Sequence, residues 1–149
     1  MFELESKNPD IITVKTPKNT INFNVAEGEV DAELEVGTIV GSGEFEIGDA
    51  TIRGIAAGEG KTIYDVEIGG VHIGILGDTE SALDELGMSD ILCTSSVKAI
   101  REVEPKLVVA TGNVDGMVSE LKLSARTEKK LKIKKVENLP ATLEVVVFN

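Results

Sequence analysis

The chain has 149 residues, of which 42% are hydrophobic and 28% charged, with a formal net charge of −11. That length is one domain by ordinary size scaling, spanning 1–149, and suffices for a self-standing core. The negative balance argues against a nucleic-acid surface, since phosphates need cationic partners, and no apolar run approaches the roughly 18 residues of a membrane span.

The first half reads as successive strands. With four Phe, one Tyr and no Trp, the apolar set is mostly branched aliphatics, which favour strands. Phe2 to Ser6 is a short alternating strand, and Asn8-Pro9-Asp10 is a turn. Ile11 to Lys15 and Thr20 to Val25 flank a hairpin loop. Residues 27–35 are acidic and read as a loop with a weak strand. Val36 to Val40 is apolar, and Gly41-Ser42-Gly43 turns the chain. Glu44 to Ile47 and Thr51 to Ile55 pair across Gly48-Asp49, a two-residue hairpin signal. Thr62 to Ile68 alternates cleanly and turns at Gly69-Gly70 into Val71 to Leu76. Gly77-Asp78-Thr79 ends that strand on a carboxylate, and loops at strand ends commonly carry function.

The pattern then changes. A short helix from Ser81 is closed by Gly87, the residue expected after a helix end. Asp90 to Thr94 is a buried strand. Ser95 or Ser96 caps a helix running to Glu104, and Pro105 bars its continuation. Leu107 to Ala110 is another buried strand, and Asn113 or Asp115 starts a helix to Leu121. Leu131 to Lys135 and Thr142 to Phe148 are the final strands. The fold class is α+β: a sandwich with a β-rich N-terminal half and two to three helices in the C-terminal half.

Few residues offer chemistry. Cys93 is the only cysteine, excludes an intrachain disulfide, and sits in a buried-strand pattern as a small core residue. His72 is the only histidine. By alternation it shares a strand face with Gly74 and Leu76, and no Ser-His-Asp or Cys-His set assembles around it. Gly41-Ser42-Gly43 and Gly58-Glu59-Gly60 lack the lysine and spacing of a phosphate loop and read as turns. Lys122 to Lys135 holds seven cations and one anion, a window of +6 that leaves −17 elsewhere. It reads as a solvated strand edge, where lysines discourage unwanted pairing, with an acidic partner as the sharper alternative. No basic-plus-apolar stretch resembles a secretion signal, so a cytoplasmic location is expected.

Several segments taken in order carry a resemblance. They are residues 41–55, beginning Gly41-Ser42-Gly43-Glu44-Phe45-Glu46-Ile47-Gly48-Asp49, residues 61–78 ending in Ile75-Leu76-Gly77-Asp78, Ser89-Asp90-Ile91-Leu92, Glu104-Pro105-Lys106-Leu107-Val108-Val109 and the tail from Leu131 to Pro140 with Glu144-Val145-Val146-Val147. Together they resemble the ascorbate-lactonase-like, Zn-dependent hydrolase branch of the metallo-β-lactamase superfamily, over residues 37–149 and more loosely 11–25. The resemblance implies a reduced αββα four-layer sandwich, with one or two metal ions at one edge. The family marks that site with His-x-His-x-Asp-His, a further histidine, a Gly-Asp whose carboxylate bridges the metals, and a late histidine. Neutral imidazoles bind zinc tightly, and zinc-bound water ionises near neutral pH and attacks the substrate.

Carried over by position, the resemblance keeps one ligand. The His-x-His-x-Asp-His loop falls in residues 26–40, which contain no histidine, so that loop and the following helix read as deleted. The second histidine position falls at Ala57 or Gly58, and the late one at Gly112. Only the bridging carboxylate persists, as Asp78. The expectation is therefore no zinc or other cofactor, no catalytic residue, and a vestigial site of Asp78, Thr79, Glu80, Thr111, Gly112 and Asn113. At most Asp78 with Glu80 offers a weak oxygen-ligated Mg²⁺ or Ca²⁺ site. The expected role is non-catalytic, in binding or assembly, with self-association into a homo-oligomer covering the sheet surface that a deleted helix exposes. The alternative is a hydrolase of ester, lactone or phosphodiester bonds around Asp78, Thr79, Thr111 and Asn113, with Glu80 or Asp49 as acid–base groups.

Overall fold

Alternating apolar and polar residues are realised as two stacked β-sheets. The structure, a computed structural model, describes residues 1–8, 10–24, 29–32, 38–40, 42–112 and 114–148. An antiparallel meander opens the chain: β1 (Phe2–Asn8), β2 (Ile11–Lys15), β3 (Thr20–Asn24), β4 (Glu29–Ala32) and β5 (Thr38–Val40). A second meander follows: β6 (Gly43–Ile47), β7 (Ala50–Ala56), β8 (Thr62–Ile68) and β9 (Val71–Gly77). Its tight turns fall at Gly48-Asp49 and Gly69-Gly70, where the glycines take φ of 58°, 55° and 82°. Only glycine adopts that region without strain.

Beyond β9 the chain crosses over through helices. α1 (Leu83–Leu86) leads to β10 (Ile91–Thr94), α2 (Val97–Val103) to β11 (Leu107–Ala110), and α3 (Val114–Leu121) to β12 (Ala125–Glu128). Then come β13 (Lys130–Ile133), a 3-10 turn at Val136–Asn138, and β14 (Glu144–Phe148). β9, β10, β11, β14 and β12 pair in parallel, which requires such crossovers. The sheets run β13-β1-β2-β3-β4-β5 and β12-β14-β11-β10-β9-β8-β7-β6. β12 is a strand the sequence pattern did not predict. Ala125-Arg126-Thr127-Glu128 has no apolar alternation, and its pairing with β14 is long-range.

The core lies in two layers. Between the sheets, Leu4, Ile12, Val14 and Phe23 meet Tyr64, Val66, Ile73 and Val109, all at most 1% exposed. The Phe23 and Tyr64 rings meet with centroids 5.5 Å apart and planes tilted by 59°, a favourable aromatic geometry. On its other face the eight-stranded sheet presents Ile63, Leu76, Leu92, Val108 and Val145 to Leu83 and Leu86 of α1, Ala99 and Ile100 of α2, and Met117 of α3. The described helices therefore cover one sheet only.

The outward face of the six-stranded sheet is polar. Lys15 pairs with Glu5 at 2.8 Å, Lys130 and Lys132 both reach Glu3 at 3.9 Å, and the Thr13 hydroxyl donates to Asn22 Oδ1 at 2.7 Å. The uncovered apolar surface expected from a deleted helix is not found among the described residues, whose exposed large hydrophobics are Met1 and Met88. No described helix is long and apolar enough to cross a membrane.

The seating of α1 depends on one glycine. A Cβ on Gly74 would lie 2.8 Å from both Leu92 Cδ1 and Ser89 Oγ and 3.1 Å from Leu86 Cδ2. Arg53 fixes the end of the same helix, its Nη2 donating to the carbonyls of Glu85 and Leu86 at 2.9 and 3.1 Å. Cationic donors are favoured at a helix C-terminus. Gly74→Ala should therefore lower the urea-unfolding free energy by about 1–3 kcal/mol through overpacking. A loss below about 0.5 kcal/mol, the size typical of surface changes, would contradict this close approach.

Candidate functional site at the ends of the parallel strands

Parallel strands finish at one edge of a sheet, and open α/β sheets bind ligands beyond those carboxyl ends. Here β9 finishes at Gly77 and runs into Asp78-Thr79-Glu80, β10 into Ser95-Ser96, and β11 into Thr111-Gly112. Backbone and hydroxyl bonds tie the three ends together. Ser95 N–H donates to the Gly77 carbonyl at 2.9 Å, Thr94 Oγ1 to the same carbonyl at 2.9 Å, and Thr111 N–H to the Thr94 carbonyl at 3.2 Å. Ser96 caps α2 by accepting from Ala99 N–H at 3.1 Å, while its own hydroxyl donates to Glu80 Oε2. Of the two capping serines considered, Ser96 is the one used.

Asp78, Thr79 and Glu80 border an open cleft of about 540 Å³, completed by Ala57, Lys61 and Lys98 among others. The Asp78 side chain is 81% exposed there, and its partner is the Lys61 ammonium at 3.4 Å. Thr79 is buried. The positions where the family pattern would place a second histidine, Ala57 and Gly58, do line this cleft. Thr111 and Gly112 lie two strands further on, beyond β10. The Thr111 hydroxyl is buried without a hydrogen-bond partner, and a Cβ on Gly112 would meet Ser95 Cβ at 3.4 Å. Asn113 lies outside the described residues. Asp49 does not join the group: it sits in the β6–β7 turn, at the far end of β7, paired with Lys18 at 3.7 Å.

Lys61 was not singled out from the sequence, although the signal was present. Counting outward from the Gly69-Gly70 turn through the β8–β9 register places it opposite Asp78. Lys98 had no comparable signal, because α2 carries it over the sheet by a tertiary crossover.

The other candidate ligands lie elsewhere. His72 occupies the beginning of β9, six residues from Asp78, or about 20 Å along an extended strand. Its Nδ1 is 3.3 Å from Asp65 Oδ1 and its backbone N–H donates to Asp90 Oδ2 at 2.9 Å. Cys93 is inaccessible within the inter-sheet core. Among the described residues no group of three His, Cys, Asp or Glu side chains could hold a metal ion. Asp78 and Glu80 are each engaged by a separate donor, Lys61 and Ser96. These residues do not fit the zinc of the resembling family.

No protein-family model matches the sequence, and no curated protein matches it. Among solved structures, the chain is similar to a protein from Thermotoga maritima described as a candidate Zn-dependent hydrolase of the metallo-β-lactamase superfamily. The TM-score is 0.72 at 16% identity, over 99% of this chain and 98% of that one. The two sheets and three helices are thus those of the metallo-β-lactamase-like α+β fold.

Burial pushes the Cys93 thiol from its ordinary 9.0 up to about 12. The folded state therefore keeps a proton that the unfolded chain releases above pH 9. This contribution to stability is intact below pH 9 and is lost as pH rises toward 12, by at most about 1.4 kcal/mol per pH unit. Urea midpoints measured at about pH 8 and about pH 10.5 should show wild type losing stability relative to Cys93→Ala as pH rises. The native thiol should also resist a disulfide reagent until denaturant is added. Rapid native labelling would show that Cys93 is not enclosed.

Proposed function

We propose that this protein is a non-catalytic member of the metallo-β-lactamase fold class, acting through binding or assembly. The observation that carries this reading is the partner of Asp78. Where the family pattern places imidazoles and a metal, this carboxylate is exposed and faces the Lys61 ammonium. A fixed cation beside the carboxylate supplies by ion pairing the charge balance that a metal would supply, and like charge disfavours a metal entering there. The chain as a whole has one histidine and one cysteine, and neither lies at the cleft. Because the described outward face of the six-stranded sheet is polar, assembly would run through borders and loops and not through that face.

The chain, incubated with zinc and then desalted, should retain far less than one zinc per molecule by elemental analysis. It should also leave ester, lactone and phosphodiester substrates at their uncatalysed rates, with or without added Mg²⁺, Mn²⁺ or Zn²⁺. Stoichiometric zinc, or turnover, that disappears in Asp78→Ala would instead establish the metal-dependent hydrolase reading, with Thr79 and Glu80 beside the carboxylate.

A further inference from the structure

The two sheets end together at each lateral border of the sandwich. At one border, β12 and β13 are the terminal strands of the eight- and six-stranded sheets, joined through Lys129 alone. At the other, β6 and β5 are terminal, joined through residues 41–42. Each of these strands pairs on one side only among the described residues.

Charge divides along the same lines. In the sequence, residues 122–135 carry seven cations and one anion, whereas residues 20–52 carry eight carboxylates and no Lys or Arg, of which the side chains of Asp31, Glu44, Glu46 and Asp49 are described. All seven cations are exposed. Lys130 and Lys132 share Glu3, and Arg126 meets Glu128 and Glu144. Lys122, Lys129, Lys134 and Lys135 have no ion-pair partner among the described residues. At the acidic border Asp31, Glu44, Glu46 and Asp49 are exposed, and among them only Asp49 meets a cation of the described residues, Lys18.

An unpaired strand edge accepts any compatible strand brought to it, and charges on the edge decide which strands are compatible. Two basic borders repel each other, as do two acidic ones. A basic border against an acidic one is the combination that brings opposite charges together. We propose that a partner of this protein is a second copy of itself, docked with the β12–β13 border of one copy against the β5–β6 border of the next. The two surfaces differ, so the contact is heterologous. Each docked copy leaves one border of each sign free, and association continues as an open chain unless rotation closes a ring. The inference deepens the assembly reading above and names its interface, and it does not involve the cleft at Asp78.

The net charge of −11 opposes approach at long range, while facing borders attract at contact. Screening over about 10 Å near 0.1 M salt weakens the first more than the second, and near 1 M it weakens both. Sedimentation velocity at about 0.1 M salt should therefore show a mass that rises with concentration past two copies, returning to one copy near 1 M. The acidic-border variant Glu44→Lys/Glu46→Lys and the basic-border variant Lys134→Glu/Lys135→Glu should each be monomeric alone. Mixed in equal amounts they should associate, because each keeps the border the other lacks. Circular dichroism checks that both variants fold, and Asp31→Lys replaces the acidic pair if they do not. A wild-type chain that stays monomeric at every concentration and salt overturns the proposal and leaves the zinc measurement standing. So does association that either variant retains unchanged, or folded variants that fail to complement each other.

Discussion

The central strands of the eight-stranded sheet have no face turned to water. Ile73 and Ile75 of β9 point into the inter-sheet core, and Leu76 of the same strand points under the helices. β10 and β11 repeat this, with Ile91 and Cys93 against Leu92, and Leu107 and Val109 against Val108. A sheet buried on both faces must be covered by a second sheet on one side and by helices on the other. The crossovers α1, α2 and α3 supply the helical cover, and parallel pairing of β9 to β12 follows from them. Polar groups then gather mainly at the strand ends, the lateral borders, the outward face of the six-stranded sheet and the solvent side of the helices.

That distribution explains where the candidate site lies. Parallel strands β9, β10 and β11 deliver Asp78, Ser95 and Thr111 to one edge, where backbone groups leaving the sheet need partners. Thr94 and Ser95 supply some of these partners by bonding to the Gly77 carbonyl. A Gly-Asp step at the end of β9 therefore has a structural reason to exist apart from metal binding. The left-handed Gly77, at φ 62°, turns the chain out of the sheet, and Asp78 emerges into solvent beside Lys61. This edge is held by ordinary strand-end hydrogen bonds and one exposed ion pair.

Local features were legible in the sequence to the extent that their causes are local. The turns at Gly48-Asp49 and Gly69-Gly70 needed φ values that glycine supplies, and the strands on either side alternate, so β6 to β9 could be drawn with their register. Ser96 and Pro105 bracket α2 for equally local reasons. β12 was not legible, because Arg126 and Thr127 become strand only through pairing with Val146 and Val147. The site divides in the same way. Asp78-Thr79-Glu80 could be placed from the chain and Lys61 from hairpin counting, whereas a crossover brings Lys98 to the cleft and Ser96 to Glu80. Asp49 shares the Gly-Asp pattern of Asp78 but ends a different turn at the opposite end of its sheet.

The borders follow from the same constraint on polar placement. A sandwich whose two sheets stop together exposes four terminal strands, and each is a template for unwanted pairing. Charging all four alike would block self-pairing but would add to the repulsion of a chain already at −11. Charging the two borders oppositely blocks like-with-like contacts equally well while reducing the net charge. Leu131 and Ile133 still point inward from β13 as Lys130 and Lys132 point out, so the charge is added without removing a core contact. Phe45 and Ile47 do the same in β6 beneath Glu44 and Glu46. Period-two alternation lets one strand close the core on its inner face and carry border charge on its outer one.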